Sequence, residues 1–177
     1  MPIEPDTKNW TWVLQRRCDA CGLDASSLPF RAIPDLVDDN VARWPAALAV
    51  PDPATRPDEA TWSPLEYAAH VRDVFRRFAV RLDAMLTSDV PPFANWDQDA
   101  TARAERYRDQ DPTTVLQELA EAGRSIADAF RAVPDAALAR AGRRSDGSVF
   151  TVESLGRYFV HDPIHHLFDV TGERFVS

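Results

Sequence analysis

Three of the four histidines in this 177-residue chain lie within six residues, as His161, His165 and His166, and the fourth is His70. His161 and His165 are four positions apart, so on a helix their imidazoles share one face. By this spacing one helix offers two ligands to a metal ion. His70 falls on the apolar stripe that runs through Tyr67, Val71 and Val74. A third imidazole on an inward stripe, beside a two-histidine helix, completes a three-histidine site. His70, His161 and His165 are therefore read as the metal ligands. Neutral imidazole suits zinc, nickel, iron or copper. Three protein ligands leave a coordination position for water or substrate, as catalytic sites do. His166 points about 100° away from His165 and is read as a supporting or packing residue. Asp162 is read as a carboxylate that orients an imidazole, or as a solvated one. Taken singly, His70 also fits a plainer role as a satisfied core histidine.

Cys18-Asp19-Ala20-Cys21-Gly22 forms one C-x₂-C-G element. Full zinc ribbons use two such halves. With one half, the missing ligands would come from His166, an acid or a second subunit. A redox pair is the alternative, although the strand-then-helix context of a thioredoxin-like site is missing; an incidental structural role is a third reading. Trp96, Asp97 and Asp99 lie in a long connection, where they could fold over a metal mouth and touch substrate. The plainer alternative is a solvated acidic loop anchored by one tryptophan. Arg143 and Arg144 could receive an anionic substrate, or simply be exposed. No glycine-rich phosphate loop and no G-x-S-x-G elbow occurs, which disfavours nucleotide hydrolysis and serine chemistry.

Four helical segments must position these residues. The first runs from about Pro34 to Ala49, with Val37, Val41, Trp44 and Leu48 on one face and Pro45 expected to kink or shorten it. The second opens on Ser63-Pro64-Leu65-Glu66, a serine cap followed by proline and a capping-box glutamate. Its wetter side is read as Arg72, Asp73, Arg76, Arg77 and Asp83. A connection from about Thr87 to Asp111 includes a short helix near Ala100 to Tyr107. The third helix starts at Asp111-Pro112 and ends before Pro134. Arg143 to Gly147 is read as a turn, the tip of a short hairpin. The fourth helix runs from near Thr151 to Gly172; it is apolar on most sides, as the central helix of a bundle is, and Pro163 should bend it. Residues 8–17 look extended. The fold class is thus an all-α four-helix bundle with a short extended N-terminal arm, divided as 1–30 (arm with C-x₂-C) and 31–177 (bundle).

Composition narrows the class of function. Net charge is −8, which argues against nucleic-acid binding. No apolar run is long enough to span a membrane, and Met1 to Asp6 lacks an apolar core like that of a secretory signal. A cytoplasmic location is expected. Of 20 basic residues only Lys8 is lysine, a bias of the kind a GC-rich genome imposes.

The segments Trp62 to Asp73 and His161-Asp162-Pro163-Ile164-His165-His166 resemble the DinB-like (DinB/YfiT-type) metal-binding four-helix family. Its pattern is one histidine early in the second helix and a His-x₃-His pair in the fourth, positions that His70, His161 and His165 match over residues 33–171. The resemblance implies an up-down-down-up bundle, a divalent metal (commonly zinc or nickel) and a homodimer. It also implies thiol-dependent S-transfer or isomerisation of a small electrophile, with mycothiol as a cosubstrate suited to the composition. The alternatives are hydrolysis by metal-bound water, or a non-catalytic metal-stabilised stress-response bundle. The Cys18/Cys21 arm and Pro163 depart from the simplest members.

Overall fold

The computed structural model describes residues 9–176; the readings on Met1 to Asp6 and Lys8 lie outside them. Four long helices carry the fold: α1 (Ile33–Ala47), α2 (Pro64–Thr87), α4 (Pro112–Arg131) and α5 (Val152–Thr171), with a short α3 (Gln98–Ala104) between α2 and α4. Their main contacts are α1 and α2 each against both α4 and α5. Helices adjacent in sequence, α1 with α2, therefore sit across the bundle from one another.

Side-chain caps set the helix starts. Ser63 Oγ accepts from Glu66 N, and the Glu66 carboxylate accepts from Ser63 N at 2.8 Å. Arg56 Nε donates to the same carboxylate at 2.8 Å, which makes burial of Glu66 tolerable. Asp111 and Thr151 cap α4 and α5, and Gly172 ends α5 with a φ of +72°. α1 continues two residues past Pro45, and α5 runs unbroken through Pro163.

Inside, Phe159 of α5 stacks on Phe130 of α4 at 5.3 Å and meets Phe78 of α2 at 5.2 Å. Gly123 is a point of closest approach. A Cβ there would lie 2.3 Å from Val41 Cγ2 and 3.2 Å from Phe75 Cε2.

Three features differ from the sequence reading. A small three-stranded sheet is present: β1 (Pro92–Phe93) pairs in parallel with β2 (Ala141–Arg144), which pairs antiparallel with β3 (Val149–Thr151). The hairpin turn was legible in the sequence; the partner strand from a distant loop was not. Gly142 is required there, since a Cβ would meet Phe93 Cζ at 2.4 Å. Trp10–Leu14 forms a 3₁₀ turn capped by Asn9 where an extended arm was expected. Arg72, assigned to a wetter side, is buried. Its guanidinium donates to Asp73, Gln110 and Glu118, so its charge is fully met by partners. Asp73 also accepts from Tyr107 Oη, which fastens the long connection to α2.

Gly123→Ala should destabilise the fold by about 1–3 kcal/mol through overpacking against Val41, read as a lower urea midpoint at unchanged slope. Burial works to raise the Glu66 carboxyl, but Arg56 and Ser63 outweigh it and hold it below its usual value. Its stabilising contribution is therefore present above the unfolded pKa of about 4.3 and is lost as pH falls through the lower folded value. Glu66→Gln should cost about 1–2 kcal/mol at neutral pH, with the gap to wild type closing below about pH 4 in urea titrations; a gap unchanged at lower pH would contradict the assignment.

Candidate metal centre

Two neighbouring pairs on α5 each follow i,i+4 spacing: His161 with His165, and Asp162 with His166. The pairs are one residue apart, so they look in directions about 100° apart. α2 supplies the third side. His70 lies on its buried face, fully excluded from solvent. Its Nε2 is 3.4 Å from Asp162 Oδ1, and His166 Nε2 is 3.7 Å from the same oxygen. The rings of His70 and His166 meet edge to face at 4.8 Å. His70, Asp162 and His166 thus place one donor atom each within 4.8 Å of one another.

This cluster carries the mark of a cation site. Both nitrogens of His70 and the Oδ1 of Asp162 are buried without a hydrogen bond, although His70 Nε2 and Asp162 Oδ1 face each other at 3.4 Å. A buried polar atom left unpaired costs about 1–3 kcal/mol; an ion between these two would engage one nitrogen of His70 and the carboxylate together. Burial pushes His70 toward its neutral form, the form that ligates; the Asp162 charge opposes that shift without cancelling it. Burial alone would raise the Asp162 carboxyl, but His166 and His70 hold it well below the usual range, so a carboxylate is available. His166 is oriented from its other nitrogen, Nδ1, which lies 3.0 Å from Asp169 Oδ2.

The structure does not bring His70 together with His161 and His165. Those two face the N-terminal arm, where they gather with Cys18 and Cys21. Asp162 and His166, read as supporting residues, are instead donors directly beside His70. The signal was present in the sequence, since Asp162-x₃-His166 obeys the same spacing rule as His161-x₃-His165. Two imidazoles simply outweighed a carboxylate and an imidazole. For Cys18 and Cys21 the neighbouring donors are His161 and His165, where the sequence reading had offered His166 or an acid.

A cavity of about 590 Å³ lies against both groups, with His161, Asp162, His165 and His166 in its wall. Trp96 lies flat against His70, with ring centres 5.2 Å apart and planes 7° apart, and Arg77 covers the indole. Asp97 and Asp99 also line the cavity, beside Trp96. Asp97 is committed to capping α3, and Asp99 is buried. On the opposite wall, Arg81 and Arg144 flank Phe78 and Tyr158. Arg144 is held by Asp146; Arg81 has no carboxylate partner among the described residues. Arg143, the other arginine of the pair, does not line the cavity.

The bundle sets a group of potential metal donors between α2 and α5. The family model of the DinB superfamily matches residues 34–168, and the chain belongs to that superfamily. Its fold is similar to that of YfiT from Bacillus subtilis, described as a probable metal-dependent hydrolase with an unusual four-helix bundle topology; the TM-score is 0.65 at 19% identity, covering 97% of this chain and 91% of that one. No curated protein matches the chain in sequence. No helix among the described residues is long and apolar enough to cross a membrane.

An unpaired imidazole predicts an inversion. Stripped of metal, His70→Leu should unfold at the same or a higher urea concentration than wild type, because it removes two orphaned nitrogens. With a divalent ion at about a hundred times its dissociation constant, wild type should gain about 2.7 kcal/mol from this cluster and overtake the variant. A variant that stays the weaker of the two without metal would refute the assignment.

Proposed function

We propose that the chain is a divalent-metal-dependent enzyme in which His70, Asp162 and His166 hold the ion and the cavity beside them admits a small anionic electrophile. The observation that carries this reading is the buried pair His70 Nε2 and Asp162 Oδ1, neither with a hydrogen bond, with Asp162 and His166 in the wall of an open cavity. A set of two imidazoles and one carboxylate suits zinc or nickel. When bound, such an ion acts as a Lewis acid that lowers the pKa of a coordinated thiol or water toward neutrality.

The chain's own residues do the rest. Asp169 fixes the ring of His166, and Trp96 and Trp62 pack both sides of His70, which excludes water behind the site. Arg81 offers a guanidinium for a carboxylate or phosphate of the substrate, and Phe78 and Tyr158 give its apolar part a surface. A cavity of 590 Å³ holds far more than a water molecule, so a low-molecular-weight thiol such as mycothiol fits as the nucleophile. The activity is then S-transfer or thiol-dependent isomerisation. Hydrolysis by bound water is the second reading, supported by the description of YfiT. A cytoplasmic homodimer is the form proposed with this reading.

The test is metal content and turnover together. Untagged wild type should carry metal that His70→Ala loses, and turnover of anionic electrophiles should saturate with added thiol. Arg81→Ala should raise KM about tenfold, with a smaller effect on kcat. Turnover independent of thiol would select hydrolysis. Wild type that binds no metal at this cluster would overturn the enzyme reading.

A further inference from the structure

We propose a second metal site, a structural zinc held by Cys18, Cys21, His161 and His165, which clasps the N-terminal arm to α5. It shares no ligand with the first cluster. The four donor atoms lie within 4.8 Å of one another. Tetrahedral bonds of about 2.0–2.3 Å require ligand atoms about 3.3–3.8 Å apart. Cys18 Sγ and His165 Nδ1, at 3.6 Å, already stand at that separation. His161 Nε2 is buried and has no hydrogen-bond partner, in a residue only 4% exposed.

The backbone of the arm is shaped for thiolates. Cys18 N–H donates to Leu23 O and Gly22 N–H to Cys18 O, each at 2.9 Å, which curls the C-x₂-C segment into a tight loop. Gly22 takes a φ of +86°, which a side chain would strain. The loop is itself anchored: Phe175 N–H donates to Cys21 O at 2.7 Å, and Arg17 Nε to Gly22 O at 2.7 Å. Both cysteines are free thiols and nearly inaccessible. Without a cation, burial pushes the Cys21 thiol up to about 12.

Two thiolates and two imidazoles are a closed tetrahedral set of the kind that structural zinc takes, leaving no position for substrate. On binding, the two thiol protons go to solvent and the zinc gains two sulfur and two nitrogen bonds. No oxidant is involved. Trp10, 5.2 Å from His165 and 5.7 Å from His161, lies over the site. The consequence is mechanical. Clamping His161 and His165 fixes the rotation of α5, and that rotation sets where Asp162 and His166 point.

The test uses the whole, untagged protein loaded with zinc. X-ray absorption at the zinc edge should show sulfur at about 2.3 Å beside nitrogen or oxygen. A mercurial that titrates thiols should release about one zinc per chain from wild type. Cys18→Ser with Cys21→Ser should hold one zinc fewer and lose the sulfur signal. His70→Ala should keep that signal, which separates failure of this site from failure of the first. Zinc bound with no sulfur neighbour, no release by the mercurial, or a Cys18–Cys21 disulfide in protein purified without oxidant would overturn the proposal. The mercurial and absorption measurements are made on wild type, so they hold even where the double variant does not fold.

Discussion

The rotational setting of one short stretch, 161–166 of α5, governs everything else at this end of the bundle. An α-helix advances about 100° per residue, so two i,i+4 pairs offset by one residue must face two different partners. Asp162 and His166 meet α2, while His161 and His165 meet the arm. A small rotation of α5 would spoil both. Several contacts oppose it. Asn40 of α1 donates to the carbonyl of Pro163 at 2.8 Å and accepts from Trp44, all three buried within the bundle. Gly156, further back on α5, lets Ile33 and Phe30 close in; a Cβ there would stand 2.7 Å from Ile33 Cδ1.

Much of this was legible because local chemistry wrote it. Serine and aspartate caps, each with proline behind it, marked the starts of α2 and α4, and Gly172 marked the end of α5. Elements that depend on distant pairing were not legible. β1 is two residues long and exists only because β2, some fifty residues later, lies beside it. The 3₁₀ turn of Trp10–Leu14 depends on docking against α5. Burial of Arg72 needed partners from two other segments. The site split for a similar reason. Spacing along α5 singled out the segment 161–166, but which pair His70 would face is fixed by the rotation of α5 against α2, and one sequence carries no direct record of that angle.

The cavity wall carries charge of both signs. The chain is net negative by eight, and Arg81 and Arg144 stand in the wall beside Asp97, Asp99, Asp146 and Asp162. Ionic screening at physiological salt fades surface charge over about 8 Å. A ligand at the cavity therefore responds to the groups it touches more than to charge elsewhere on the chain. Arg81 is the more telling of the two arginines: burial and the neighbouring Arg77 both disfavour its charge, a cost that a bound anion would offset.

Four of the five tryptophans crowd these two clusters. Trp62 and Trp96 flank His70, and Trp10 and Trp12 lie against His161, while Trp44 is engaged elsewhere with Asn40. Indole emission is sensitive to the charge and ligation of an imidazole in ring contact. The molecule is thus built with an optical signal at each cluster, and occupancy can be followed in the native chain without attaching a dye.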